Sequence, residues 1–163
     1  MKHIFLSAFA ILGVSTLVLA QDISENTIGL RLGDSDGFGA EVSYQRALSD
    51  ANRLEFDLGW RSSSDYDGFK LTGLYQWVWY LDGNFNWYAG AGGGLGSYSW
   101  DRPFNTNTGD DSETFAFAAG NVGIEYNFDI PLLLSLDFRP EFNFGNYYND
   151  NNFDIALGIR YQF

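Results

Sequence analysis

The stretch FDIALGIRYQF, Phe153 to Phe163, alternates without a break. Phe153, Ile155, Leu157, Ile159, Tyr161 and Phe163 fall on one face, and Asp154, Ala156, Gly158, Arg160 and Gln162 on the other. Successive side chains of a β-strand point to opposite sides, so this period predicts a strand with one apolar and one polar face. The chain before it repeats the pattern seven times.

Asn26–Gly33 sets Ile28, Leu30 and Leu32 against Thr27, Gly29 and Arg31. Phe38–Leu48 sets Phe38, Ala40, Val42 and Tyr44 against Glu41, Ser43 and Gln45. Arg53–Arg61 sets Leu54, Phe56, Leu58 and Trp60 against Arg53, Glu55, Asp57 and Arg61. Phe69–Tyr80 carries Phe69, Leu71, Tyr75, Trp77 and Trp79 opposite Lys70, Thr72 and Gln76. Asn86–Ser99 opens on Trp87-Tyr88 and becomes glycine-rich, which leaves its register loosely specified. Thr114–Phe128 sets Val122, Ile124 and Tyr126 against Asn121, Gly123 and Glu125, with Phe115 and Phe117 breaking the parity. Leu132–Phe144 sets Leu134, Leu136, Phe138, Phe142 and Phe144 against Ser135, Asp137, Arg139, Glu141 and Asn143. Eight strands are expected, and no helix.

Connections alternate in length. Ser49–Asn52, Leu81–Phe85 and Asn127–Pro131 are short; Ser62–Gly68, Asp101–Glu113 and Gly145–Asn151 are longer; Gly33–Gly37 is a short loop on the long-loop side. An internal echo supports hairpins as the repeated unit. Asp34-Ser-Asp36-Gly37-Phe38 with Tyr44-Gln45 recurs as Asp65-Tyr-Asp67-Gly68-Phe69 with Tyr75-Gln76, at the same spacing. A strand of ~10 residues rising ~3.3 Å each and tilted about 40° spans roughly 25 Å, the height of a barrel's lipid-facing band.

The chain opens Met1-Lys2-His3, runs apolar from Ile4 to Leu19 and reaches Val18-Leu19-Ala20 before Gln21. This reads as a secretory signal peptide over residues 1–20, the apolar run being shorter than the roughly 20 residues of a spanning helix. Export by a Sec-type route and a single domain over Gln21–Phe163 are expected. Cysteine is absent, which excludes a disulfide framework and a lipid-anchored amino terminus. The whole chain carries 9 basic and 21 acidic residues, so a nucleic-acid partner is not expected.

The polar face collects Arg31, Arg53, Arg61, Lys70, Arg139 and Arg160 together with Glu41, Glu55, Asp57, Glu125, Asp137, Glu141 and Asp154. The apolar face carries almost no charge. In a soluble barrel the apolar face would turn inward; in a membrane barrel the two faces exchange, because a lipid-facing Arg costs about 2–4 kcal/mol at mid-depth. Aromatic placement separates the two. Tyr44, Trp77, Trp79, Trp87, Tyr126, Tyr161 and Phe163 gather near the short-turn ends, Phe38, Trp60, Phe69, Phe144 and Phe153 near the long-loop ends, with aliphatic residues between. Two aromatic girdles around an aliphatic band are a membrane-interface pattern. The expected fold is an all-β, eight-stranded antiparallel up-and-down transmembrane β-barrel whose interior is filled by a paired charge network.

Across almost all of Gln21–Phe163 the chain resembles the OmpA/OmpX-type small outer-membrane β-barrels. The resemblance is carried by the signal peptide, the alternating segments, the girdles, Tyr75-Gln76-Trp77, Trp87-Tyr88-Ala89-Gly90 and the terminal Tyr161-Gln162-Phe163. It implies residence in the outer membrane of a diderm bacterium, lipid contact, and recognition of the last strand by the barrel-assembly machinery, with Tyr161 and Phe163 as the assembly signal. A monomer is expected. The peptidoglycan-binding domain of OmpA is not expected here.

Other motifs read blandly. Ala89–Gly96 matches no phosphate-loop pattern and has no following helix; its glycines would make room for long Arg and Glu side chains, or let the strand curve. The two Asp-x-Asp-Gly loops, with Asp101, Asp110, Asp111 and Glu113, lack a full calcium-loop ligand set, and turn chemistry accounts for them; no metal or cofactor is expected. The only His is His3, in the signal segment, so His- and Cys-dependent catalysis is excluded from the exported chain and an enzyme is not expected. The outer loops hold nine acidic residues and one basic, Arg102, which favours cations and a partner of matching charge. Three roles follow: a structural or surface-interaction barrel, a narrow porin-like channel for cations or small solutes, and a soluble lipocalin-like ligand carrier.

Overall fold

The computed structural model describes residues 23–33, 39–62, 66–100, 112–144 and 152–163; of Tyr66, Trp100, Ser112 and Glu113 it describes the backbone alone. The signal segment, Phe38, Asp34, Asp36, Asp65, Asp101, Asp110 and Asp111 lie outside the described residues.

Eight strands form where the alternation predicts them: β1 (Asn26–Leu32), β2 (Ala40–Ser49), β3 (Asn52–Ser62), β4 (Tyr66–Asp82), β5 (Phe85–Trp100), β6 (Ser112–Asn127), β7 (Leu132–Phe144) and β8 (Asn152–Gln162). Each pairs antiparallel with its neighbour in sequence, and β1 pairs with β8, so the sheet closes into a barrel in simple up-and-down order. Closure satisfies both strand edges, which an open sheet leaves bare. At the seam Leu30 faces Ile159, and Asn26 and Phe163 exchange backbone hydrogen bonds of 3.1 and 3.0 Å.

One connection is shorter than the sequence suggests. Ser62–Gly68 reads as a loop, yet Asp67 and Gly68 already pair with Ser62 and Arg61, and only residues 63–65 link β3 to β4. Asp-Gly signals a turn in isolation; here the ladder carries through it. At the opposite end, Gly83 supplies the left-handed conformation (φ 56°) that turns β4 into β5, and its N–H donates to the Tyr80 hydroxyl at 2.7 Å.

The barrel is inside-out relative to a soluble domain. Among the described residues seven apolar side chains are buried against twenty polar or charged ones, and the outer wall exposes Ile28, Leu30, Phe56, Leu58, Leu71, Leu136, Ile155 and Leu157 as a continuous apolar surface. Water would not sustain such a surface on a monomer, where apolar patches rarely exceed a few hundred Å².

Phe115 and Phe117 do not break the parity of β6. From Phe115 to Glu125 the odd-numbered residues of β6 point inward, so Phe117 is buried within a small apolar cluster with Leu74 and Ala119, and Phe115 packs beside it. The apparent break is a stretch of apolar interior.

Candidate functional site

The chemistry of this chain is concentrated inside the barrel. Alternation sends every second side chain into the lumen, twelve of the buried ones charged, and barrel closure then decides which ones meet. At the long-loop half, Arg31 on β1 reaches Asp137 with two nitrogens (2.6 Å from Nη2, 3.1 Å from Nε), Glu41 at 2.9 Å and Asp154 at 2.6 Å. Arg139 on β7 donates to Glu41 at 2.8 Å, Asp57 at 3.1 Å and Glu141 at 2.9 Å. Lys70 on β4 closes this group onto Glu141 at 3.0 Å, with its ammonium 5.6 Å from the centre of the Phe117 ring. Glu41 is thus shared by two guanidiniums, the multiple pairing that a buried carboxylate requires.

Lower down, Arg160 on β8 donates to Glu55 at 3.1 Å and to the hydroxyls of Ser43 at 3.0 Å and Ser135 at 2.7 Å. Gln45 donates to Glu55 and accepts from Thr27 at 3.0 Å. Nearest the short turns, Arg53 pairs with Glu125 at 2.7 Å, donates to Gln76 at 2.6 Å and stacks 4.8 Å from the Tyr88 ring centre, while Asn86 adds a bond to Glu125.

Of the thirteen charged residues assigned to the interior by parity, twelve are buried: Arg31, Glu41, Arg53, Glu55, Asp57, Lys70, Glu125, Asp137, Arg139, Glu141, Asp154 and Arg160. Arg61 is the correction. It shares their parity but sits one residue from the end of β3, where the lumen opens, and its side chain is exposed. Parity specifies a face, and depth along the strand specifies burial.

The glycine-rich β5 also needs correction. The sequence offers two roles for its glycines, clearing space for arginines and glutamates or letting the strand curve, and the first does not hold at Gly94 and Gly96. A Cβ at Gly94 would stand 2.5 Å from the Phe117 ring, and one at Gly96 would strike the Phe115 ring. The space is taken by phenylalanines from the next strand. Tyr88, whose ring lies where a Cβ on Gly123 would fall, is another interior aromatic that the charge pattern overlooks; its register with inward Asn86 is the signal that finds it.

On the outer wall, Trp60 (59% exposed) stands toward the long loops with Phe69, Phe144 and Phe153. Trp77, Trp79, Trp87, Tyr126 and Tyr161 ring the short-turn end, where Trp79 stacks on Trp87 at 4.3 Å, Tyr126 packs between Phe85 and Phe128, and Tyr161 stacks on Phe163. Tyr44 sits on the same face, its hydroxyl donating to Asn26 at 2.7 Å. Among the described residues no group of three or more His, Asp or Glu side chains has a metal-holding arrangement.

No protein-family model matches the chain, and no curated protein matches it in sequence. Solved structures do match. The chain is similar to the N-terminal β-barrel domain of OprF from Pseudomonas aeruginosa (TM-score 0.60, 13% identity, 85% of this chain and 95% of that one). It is similar to Neisserial surface protein A, NspA (TM-score 0.60, 14% identity, 85% and 94%). It is also similar to Ail, the attachment invasion locus protein of Yersinia pestis (TM-score 0.58, 15% identity, 86% and 97%), which has been solved in complex with the heparin analogue sucrose octasulfate as well. At these identities the likeness establishes the shared small-barrel fold.

Proposed function

We propose that this chain is an integral outer-membrane β-barrel protein with a structural or surface-interaction role and no enzymatic activity. The observation that carries the reading is the inversion of its two faces. Twelve charged side chains are paired inside, and an uninterrupted apolar wall bounded by aromatics faces out. A bilayer is the solvent in which that distribution is favourable, because every strand edge is closed and every outward residue of the band is apolar. The soluble lipocalin-like alternative requires an apolar lumen, and this lumen is ionic.

On this reading the segment Met1–Ala20 is removed on export and the mature chain begins at Gln21. Lipid is the immediate partner, and the last strand, with Tyr161 and Phe163, engages the assembly machinery. An interior crossed at three levels by ion pairs favours a plugged barrel over a conduit for cations or small solutes. Planar-bilayer recording tests this: the refolded chain is expected to give no steady conductance, and reproducible unitary steps would establish the channel instead.

The outer loops also limit the partner. Ail has been seen with a sulfated saccharide analogue; with Asp67 and Glu113 in strands, the connections on this side (residues 33–39, 63–65, 101–111 and 145–151) hold seven acidic residues and one basic, and repel such polyanions. The mature chain in micelles is therefore expected to show no binding to sucrose octasulfate at low salt. Saturable binding would contradict the charge argument.

A further inference from the structure

Among the described residues, one exposed cation stands on the outer wall at the short-turn end. Arg46 shares the outward parity of Val42 and Tyr44 on β2, so its side chain leaves from the apolar wall and not from the lumen. The other described basic residues are buried in the interior or, as Arg61, stand at the opposite rim. Arg46 Nη1 donates to Asn26 Oδ1 at 2.8 Å, and Nη2 lies 2.8 Å from Glu25 Oε1. The same Asn26 oxygen accepts the Tyr44 hydroxyl at 2.7 Å. The backbone sets this cluster in place. Asn26 faces Arg46 across the β1–β2 ladder, and the Ala47 N–H donates to the Glu25 carbonyl at 2.9 Å. Glu25 is thereby held one residue beyond β1, further toward the short turns than Arg46.

Both charges are open to the surroundings, Arg46 at 45% and Glu25 at 69%, and an exposed ion pair adds little to stability in water. In a bilayer the same position has a different meaning. An outward arginine is tolerated where its head reaches the headgroup level, and its planar fork suits a phosphate. Arg46 stands at that level. One outward step nearer mid-wall is Tyr44, whose rung runs through Ile28 to Tyr161, both tyrosines belonging to the aromatic girdle of this end. Beyond that rung Leu30 and Leu58 flank Val42, exposed apolar wall against which acyl chains can lie.

The charges also have an order, with the cation nearer mid-wall and the carboxylate outside it. A phospholipid with a primary ammonium presents the complementary order, its phosphate next to the glycerol and its ammonium further out. A headgroup of net negative charge would meet Glu25, and Asp50 in the following turn, with no cation of its own to answer them. We propose that Arg46 and Glu25 bind one zwitterionic phospholipid of the phosphoethanolamine class. Arg46 holds the phosphodiester, Glu25 accepts from the ammonium, and Asn26 and Tyr44 position the guanidinium. Bound in this way, the two-charge pair becomes an alternating array of four. The site requires lipid on this wall, so it rests on the membrane reading above, and its test separates the two.

The mature chain is refolded into micelles and checked for the heat-modifiable band. It is then mixed with equal amounts of dimyristoyl phosphatidylethanolamine, phosphatidylglycerol and phosphatidylcholine and read by native mass spectrometry. One retained phosphatidylethanolamine per barrel is expected, in preference to the other two. Retention should fall about tenfold in R46Q, the effect of losing one charge-assisted bond. E25Q should keep a lipid but lose the preference over anionic phosphatidylglycerol, and R61Q at the opposite rim should change nothing. The swap E25R/R46E keeps an ion pair in reversed order and should lose the lipid; it decides the matter if R46Q gives no folded band. A folded wild-type barrel that retains no phosphatidylethanolamine, or all three lipids alike, overturns the site and leaves the barrel reading standing. So does retention that survives R46Q or the swap, which would reduce Arg46–Glu25 to a structural pair. A wild-type chain without the heat-modifiable band would defeat the membrane reading, and the site with it.

Discussion

At the scale of single residues, Arg139 and Arg61 make the contrast that parity alone could not. Arg139 is completely buried and answers three carboxylates; Arg61 is exposed at the rim. Removing one member of a buried ionic network strands its partners and costs about 3–5 kcal/mol. R139M is therefore expected to lower unfolding stability in micelles by that amount, measured by tryptophan fluorescence in urea, while R61M should stay within about 0.5 kcal/mol. Equal effects would mean that the lumen is not the network described. Gly96 offers a second test, because all three atoms nearest a Cβ built there belong to the Phe115 ring. G96A should destabilise by about 1–3 kcal/mol through overpacking and should be relieved in G96A/F115L. A double variant as unstable as the sum of its parts would remove Phe115 from that position. Faces were legible in the sequence because the two sides of each strand differ so sharply in chemistry. Neighbours were not: Arg31 and Asp137 lie 106 residues apart, and only closure of the sheet brings them together.

At the scale of elements, the strands are where local pattern and global fold agree, and the exceptions have local causes. β7 contains Pro140, which cannot donate to a ladder, and the recorded β6–β7 pairing skips from Ala119–Glu141 to Val122–Phe138. The strand survives because β8 pairs continuously along its other side, from Leu132 to Glu141. The Ser62–Gly68 segment reads locally as a loop because Asp-Gly dominates, whereas the paired β4–β5 wall extends the ladder past it. The outward face of β7 gives a direct test of its solvent. Leu136 is half exposed at mid-strand. L136R should cost about 2–4 kcal/mol if lipid covers that face; in water the same change would be close to neutral. The seam depends on the last residue, since Phe163 exchanges two backbone bonds with Asn26 and stacks on Tyr161. Deleting Phe163 is expected to slow folding into lipid vesicles, followed by the appearance of the folded band, and unchanged kinetics would deny it a part in closing the barrel.

At the scale of the whole molecule, one fact organises the rest: the polar residues are inside and the apolar ones outside. Fold class and strand number were readable from alternation and turn spacing. The three-level pairing of the lumen and the phenylalanines over the glycine strand were not, because each depends on contacts made only after closure. The most direct test of the central claim takes residues 21–163 from urea into detergent micelles and, in parallel, into plain buffer, with both samples run unboiled and boiled on a denaturing gel. The inverted barrel predicts a heat-modifiable folded band in detergent alone and aggregation in buffer. A soluble, folded monomer in buffer without detergent would contradict it, since the apolar wall would then have to face inward.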